Sequence, residues 1–153
     1  MRLSAGDRAP AFTLSNQRGE TVALKDFAGT RVVLYFYPAD DTPGCTKEAC
    51  QFNEGLNAFR SLKVTVLGVS PDDAASHEAF RIKYGLDFDL LTDPQRKVMA
   101  RYGAYGEKTM YGKRVIGVIR STFVIGPTGR VEHAWYGVHA DGHAARVLAS
   151  LTT

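Results

Sequence analysis

The sequence predicts an α/β domain with a mixed sheet, parallel at its centre and antiparallel at one flank. Three observations predict it. "RVVLYFY" (31–37) and "KVTVLGVS" (63–70) are near-continuous runs of aliphatic, β-branched and aromatic residues, the composition of strands buried on both faces. Between them, residues 45–60 carry Ala49, Phe52, Leu56 and Phe59 at helical spacing, and the connection is long enough for a parallel crossover. Further on, "STFVIGPTGRVEHAWYG" reads as a hairpin around Gly126-Pro127-Thr128-Gly129.

In chain order, "FTLSNQRGETVAL" places two short apolar-rich runs around an Arg-Gly turn, the pattern of an N-terminal hairpin. Pro38 ends the first long strand, and a site at its carboxyl end is where open α/β sheets bind and react. "PDDAASHEAFRIKYG" reads as a helix that starts near acidic residues and stops at Gly85. A short helix is expected over about 94–102, opened by Asp93-Pro94. The Gly- and Tyr-rich segment "YGAYGEKTMYGKRVIG" has the weakest period in the chain and reads as a long loop leading into a strand. A helix near 141–150 closes the sequence.

The 153 residues, 44% hydrophobic and 23% charged, fit one domain spanning 1–153 with its own core. A net charge of +3, without a run of Lys or Arg, argues against nucleic acid as a partner. No stretch approaches the roughly 20 apolar residues that span a bilayer, and "MRLSAGDRAPAF" lacks a signal-peptide core. The expectation is a cytoplasmic protein, in a compartment where a permanent disulfide is disfavoured and a transient one is plausible.

Both cysteines fall in "YFYPADDTPGCTKEACQF" (35–52). A sulfur at Cys45, in the first turn of a helix, meets free backbone N–H groups and the positive end of the macrodipole, which favour a thiolate. Thr42 can turn its hydroxyl toward the sulfur or a bound oxygen, and Gly44 lets backbone N–H groups approach a small substrate. Residues five apart in an intact helix have Cα atoms roughly 8.6 Å apart, whereas a disulfide needs about 4.4–6.8 Å. Bonding Cys45 to Cys50 therefore requires the helix to unwind. A zinc site lacks a second convincing ligand pair; His139 and His143 read as a solvated helix face. A thiol–disulfide oxidoreductase and a non-enzymatic redox sensor remain alternatives on these grounds alone.

The motif "YPADDTPGCTKEACQF" resembles the signature of the peroxiredoxins, and of the peroxiredoxin Q or bacterioferritin comigratory group in particular. Pro38, Thr42 and Cys45 fall on the family's Pro-x-x-x-Thr-x-x-Cys, and Cys50 on the group's resolving position. The resemblance extends over "GDRAPAFTL", "GVSPDDAASHEAFRIKYGLDFDLLTDPQRKVMARYG" and "MYGKRVIGVIRSTFVIGPTGRV", where Arg120 matches the family arginine. It implies a thioredoxin-like fold carrying a thiol peroxidase. Cys45 would be the peroxidatic thiolate, oxidised by hydrogen peroxide or an organic hydroperoxide to a sulfenic acid. Cys50 would resolve it as an intramolecular disulfide. Arg120 would supply positive charge, Thr42 would hydrogen-bond the peroxide, Pro38 would shield the sulfur and Glu48 would hold the arginine. The implied partner is thioredoxin or a similar dithiol, the implied state a monomer. No metal or organic cofactor is expected, since the chain carries no nucleotide-binding fingerprint.

Overall fold

In the computed structural model, which describes residues 2–152, the two apolar runs lie side by side as parallel strands in the middle of a seven-stranded sheet. The chain runs β1 (Thr13–Asn16), β2 (Thr21–Ala23), a short 3-10 turn, β3 (Arg31–Phe36), α1 (Pro43–Glu54), α2 (Leu56–Ser61), β4 (Val64–Ser70) and α3 (Ala74–Tyr84). There follow β5 (Asp89–Thr92), α4 (Lys97–Arg101), β6 (Tyr105–Met110), β7 (Lys113–Val118), β8 (Ser121–Ile125), β9 (Val131–Tyr136) and α5 (His143–Ser150). The order across the sheet is β2-β1-β5-β4-β3-β8-β9. The pairs β3–β4 and β4–β5 are parallel and the remaining pairs antiparallel, and the apolar runs of β3 and β4 suit strands covered on both faces.

Strand alternation divides the core into two layers. Val32, Leu34 and Phe36 point to one face, where they join Met99, Tyr102 and Phe123. Val33, Tyr35 and Tyr37 point to the other, where Ala49, Phe52 and Phe59 cover them. Phe52 stacks on Tyr35 with ring centroids 4.7 Å apart and an interplanar angle of 16°. Fully burying a side chain of this size is worth about 1.5–3 kcal/mol, so Phe52 is a principal anchor of α1 on the sheet.

Helix ends follow their local chemistry. The Asp73 side chain accepts from the Ser76 N–H at 2.9 Å and starts α3, and Gly85 ends it in the left-handed conformation at φ 64°. The helix expected over 45–60 instead begins at Pro43, whose fixed φ suits the first helical position, and divides into α1 and α2 at Gly55. The helix expected over 94–102 is shorter, with Asp93 accepting from the Met99 N–H at 2.9 Å inside it.

Two further segments differ from the expected structure. Residues 89–92 form a strand, β5, joining the N-terminal hairpin to β4. The segment read as a long loop is a β-hairpin in register from Tyr105↔Val118 to Met110↔Lys113, turning at Tyr111-Gly112. Both faces of this ribbon meet solvent over much of its length; Ile116 is 68% exposed and Tyr111 97%. No period-2 burial pattern is imposed on it, which is why its sequence has none.

Candidate active site

The antiparallel pairing of β3 with β8 builds the site. Phe36, at the end of β3, pairs with Ser121, at the start of β8. Residue 120 is thus brought beside the turn that leads from β3 into α1. Cys45 occupies the first turn of α1, 2% exposed and with a free thiol. Thr42 is the N-cap, in an extended conformation, but its hydroxyl donates to the Ala39 carbonyl at 3.1 Å instead of capping. Among the described residues no side chain caps the first-turn N–H groups, and the positive end of the helix lies beside the sulfur.

Arg120 spans two groups with its fork. Nη2 donates to Cys45 Sγ at 3.3 Å and Nη1 to Glu48 Oε1 at 2.6 Å. Glu48 is fully buried, one turn after Cys45, and its Oε2 has no hydrogen-bond partner among the described residues. Burial pushes the Glu48 carboxyl up to about 7, against the opposing pull of Arg120. Burial acts to lower the arginine, but Glu48 and Cys45 outweigh it, and the guanidinium is held above its ordinary value. The site therefore keeps one permanent cation against the sulfur.

The other residues singled out in the sequence also have definite places. A Cβ on Gly44 would sit 3.2 Å from Arg120 Nη2, so the missing side chain is what lets the guanidinium lie against the first turn. Pro38 is half-buried at the start of the turn after β3, and Thr42 is exposed at its end. Cys50 is half-buried in the same intact helix as Cys45. Burial, and then the Glu54 carboxylate, push its thiol upward. Among the described residues, Cys45 is the thiol with a cation at its sulfur.

The pattern of the AhpC/TSA family matches residues 5–134. Peroxiredoxin Bcp of Bacillus subtilis is 40% identical over 151 residues, 99% of this chain and 96% of its own. The chain belongs to the AhpC/TSA family of peroxiredoxins. Among solved structures, the bacterioferritin comigratory protein of Xanthomonas campestris superposes on this peroxiredoxin with a TM-score of 0.90 at 41% identity, covering 97% of each chain. That structure concerns alkyl peroxide reduction. A PrxQ mutant from Xylella fastidiosa gives a TM-score of 0.92 at 39% identity, covering 99% of this chain and 97% of that one. The peroxiredoxin has the thioredoxin-like fold that the motif implied, and it is an enzyme of the thiol peroxidase class.

Behind the turn of this peroxiredoxin lies a polar network that the sequence did not disclose. Asp40 Oδ1 accepts from the Tyr37 hydroxyl at 2.6 Å, and its Oδ2 accepts from Ser76 at 2.8 Å and lies 2.7 Å from His77 Nδ1. The Asp40 N–H donates to Asp72 Oδ2 at 2.7 Å, and His77 Nε2 donates to the Leu91 carbonyl at 2.9 Å. Asp40, Asp72 and His77 place ligand-type atoms within 4.8 Å of one another, but protein groups already engage those atoms, which makes the cluster a closed brace. Next in the chain, Asp41, at φ 59°, accepts from Lys83 at 2.8 Å and Tyr84 at 2.7 Å. The brace thus ties the turn carrying Pro38 and Thr42 to α3. Asp40 and His77 are 37 positions apart, and neither spacing nor composition links them.

The histidine reading also changes. His143 does not lie on a solvated face: it is 1% exposed, opens α5, and pairs through Nε2 with Thr122 Oγ1 at 2.8 Å. Burial, with Arg146 and Arg120 nearby, lowers its pKa to about 4. His139 is exposed and precedes the helix.

Proposed function

We propose that Cys45 is the peroxidatic cysteine and Cys50 the resolving cysteine of a peroxidase recycled by thioredoxin or a similar dithiol. The observation that carries this reading is the Arg120 fork, which holds one cation against Cys45 Sγ while Glu48 fixes its other arm. The thiolate attacks the terminal oxygen of a hydroperoxide; the O–O bond breaks, the sulfur becomes a sulfenic acid, and the departing oxygen leaves, with a proton, as water or an alcohol. Negative charge passes from sulfur to oxygen in that step, and Arg120 is placed to follow it. The Thr42 hydroxyl donates to Ala39 and so keeps its lone pairs for a peroxide O–H. Gly44 leaves room for the guanidinium and Pro38 covers the sulfur from water.

The Cys50 thiol, raised by burial, stays protonated at neutral pH and acts second. It condenses with the sulfenic acid to a disulfide, with release of water, after α1 unwinds. Hydrogen peroxide and organic hydroperoxides are the substrates, and the protein acts as a monomeric single domain in the cytoplasm. Steady-state peroxide consumption with a thioredoxin system tests the reading beside Cys45→Ser and Cys50→Ser. Turnover is expected to vanish in the first and to lose thioredoxin-dependent recycling in the second. Full activity in Cys45→Ser would refute it.

A further inference from the structure

α1 is held to the rest of the protein unevenly. In its N-terminal half, Pro43 and Lys47 are exposed and Gly44 and Thr46 half-buried, while Cys45, Glu48 and Ala49 are buried. Among the described residues, the only side-chain hydrogen bond to residues 43–47 is the one from Arg120 to Cys45. Immediately after Cys50 the situation reverses. Gln51 Oε1 accepts from the Gly142 N–H at 2.8 Å while its Nε2 donates to Asp141 Oδ1 at 2.8 Å. Asn53 Oδ1 accepts from the Asp87 N–H at 2.8 Å while its Nδ2 donates to the Gly85 carbonyl at 3.0 Å. Each amide uses both its donor and its acceptor. Two residues turn about 200° around a helix axis, so the clamps grip α1 from nearly opposite sides. One holds the entry to α5 and the other the turn between α3 and β5. Phe52, between them, is fully buried on Tyr35.

We infer that Gln51 and Asn53 are positioning residues for the resolving step: they stop the unwinding of α1 at Cys50 and present its thiol as a stationary target for the Cys45 sulfenic acid. The inference rests on the Cys45–Cys50 disulfide proposed above. In that step the Cys50 sulfur bonds to the Cys45 sulfur and the S–O bond breaks. The Cys50 sulfur is oxidised, the sulfenic sulfur is reduced, and the oxygen leaves as water with the thiol proton. Loss of the thiolate on oxidation removes the charge that Arg120 holds at Cys45 and so loosens the first turn, while Glu48, still bonded to Arg120, and Ala49 leave the core as unwinding proceeds toward Cys50. Every further residue released would widen the ensemble that has to bring the two sulfurs together.

The clamps are read directly from the backbone amides of Gly142 and Asp87, which donate to them and lie outside α1. In residue-resolved hydrogen exchange on the full chain, both amides keep their protection in the disulfide form while the amides of residues 46–50 lose theirs. In Gln51→Ala and Asn53→Ala, rapid mixing with one equivalent of peroxide gives a ratio of disulfide formation to sulfenic acid formation about fivefold lower per clamp removed, a modest net cost for the two hydrogen bonds each clamp makes. Over-oxidation to the sulfinic acid then sets in at lower peroxide. A residue with only a structural role would lower thermal stability and leave that ratio unchanged. Loss of Gly142 and Asp87 protection on oxidation, or an unchanged or higher ratio in both variants, overturns the inference. Peptide mapping separates the two levels: absence of a Cys45–Cys50 link in the wild type refutes the disulfide reading itself, whereas a link formed with the clamps released refutes only their role.

Discussion

Glu48 anchors Arg120 from within the core: its Oε1 accepts from Nη1 at 2.6 Å, and its second oxygen has no partner among the described residues. A carboxyl raised by burial from its ordinary 4.5 to about 7 is bound more tightly by a proton in the folded than in the unfolded chain. Its contribution to stability is therefore fully present below about pH 4.5 and is lost as pH rises through about 7. The loss is on the order of 3 kcal/mol. Chemical denaturation of reduced wild type and Glu48→Gln at pH 5 and pH 8 should show a fall in stability toward pH 8 that the variant lacks.

His143 works in the opposite sense. A histidine kept neutral by burial, its pKa lowered from 6.5 to about 4, contributes stability that is present above the unfolded value and lost as pH falls toward the folded one. Thermal melts between pH 7 and pH 4 should show an acid loss of roughly 2–3 kcal/mol that is absent from His143→Gln. Because Glu48 gains stability over part of that range, the acid loss should be clearest in a Glu48→Gln background.

Arg120 cannot be replaced by another cation without loss, because only a fork reaches both Cys45 and Glu48. Removing a donor from a developing charge costs about 10²–10³ in rate. In stopped-flow measurements of sulfenic acid formation, followed through the single tryptophan, Trp135, Arg120→Ala should fall in that range and Arg120→Lys should recover only part of the rate.

Gly44→Ala tests the packing of that fork. The added Cβ meets Arg120 Nη2 at 3.2 Å, and the guanidinium has to give way by a few tenths of an ångström. The rate of Cys45 oxidation should drop about tenfold, a cost near 1.4 kcal/mol in the barrier. Thermal stability should change little, since alanine is favoured over glycine in a helix by about 1 kcal/mol.

The parts of the fold legible in the sequence are those where burial imposes a period. β3 and β4 are covered on both faces and announce themselves as apolar runs; α1 shows its buried stripe through Ala49 and Phe52. The β6–β7 ribbon has little to bury and its sequence reads as a loop, and β5, only four residues long, is too short to show a period. Within the site, local spacing singles out Thr42, Cys45 and the need for the helix to unwind before Cys45 meets Cys50, whereas the role of Glu48 and the resolving role of Cys50 come from the family resemblance. Arg120 was reached through its motif. The Asp40–His77 brace and the buried role of His143 depend on contacts between distant segments, and a single sequence holds no signal for them.

The proposed order of events is Cys45 first and Cys50 second. It is tested most directly by intact-mass analysis of the reduced protein after one equivalent of peroxide, without added reductant. The wild type should lose two hydrogens as a disulfide, Cys50→Ser should gain one oxygen, and Cys45→Ser should be unchanged. A gain of oxygen in Cys45→Ser, with Cys50→Ser inert, would reverse the assignment and contradict the account.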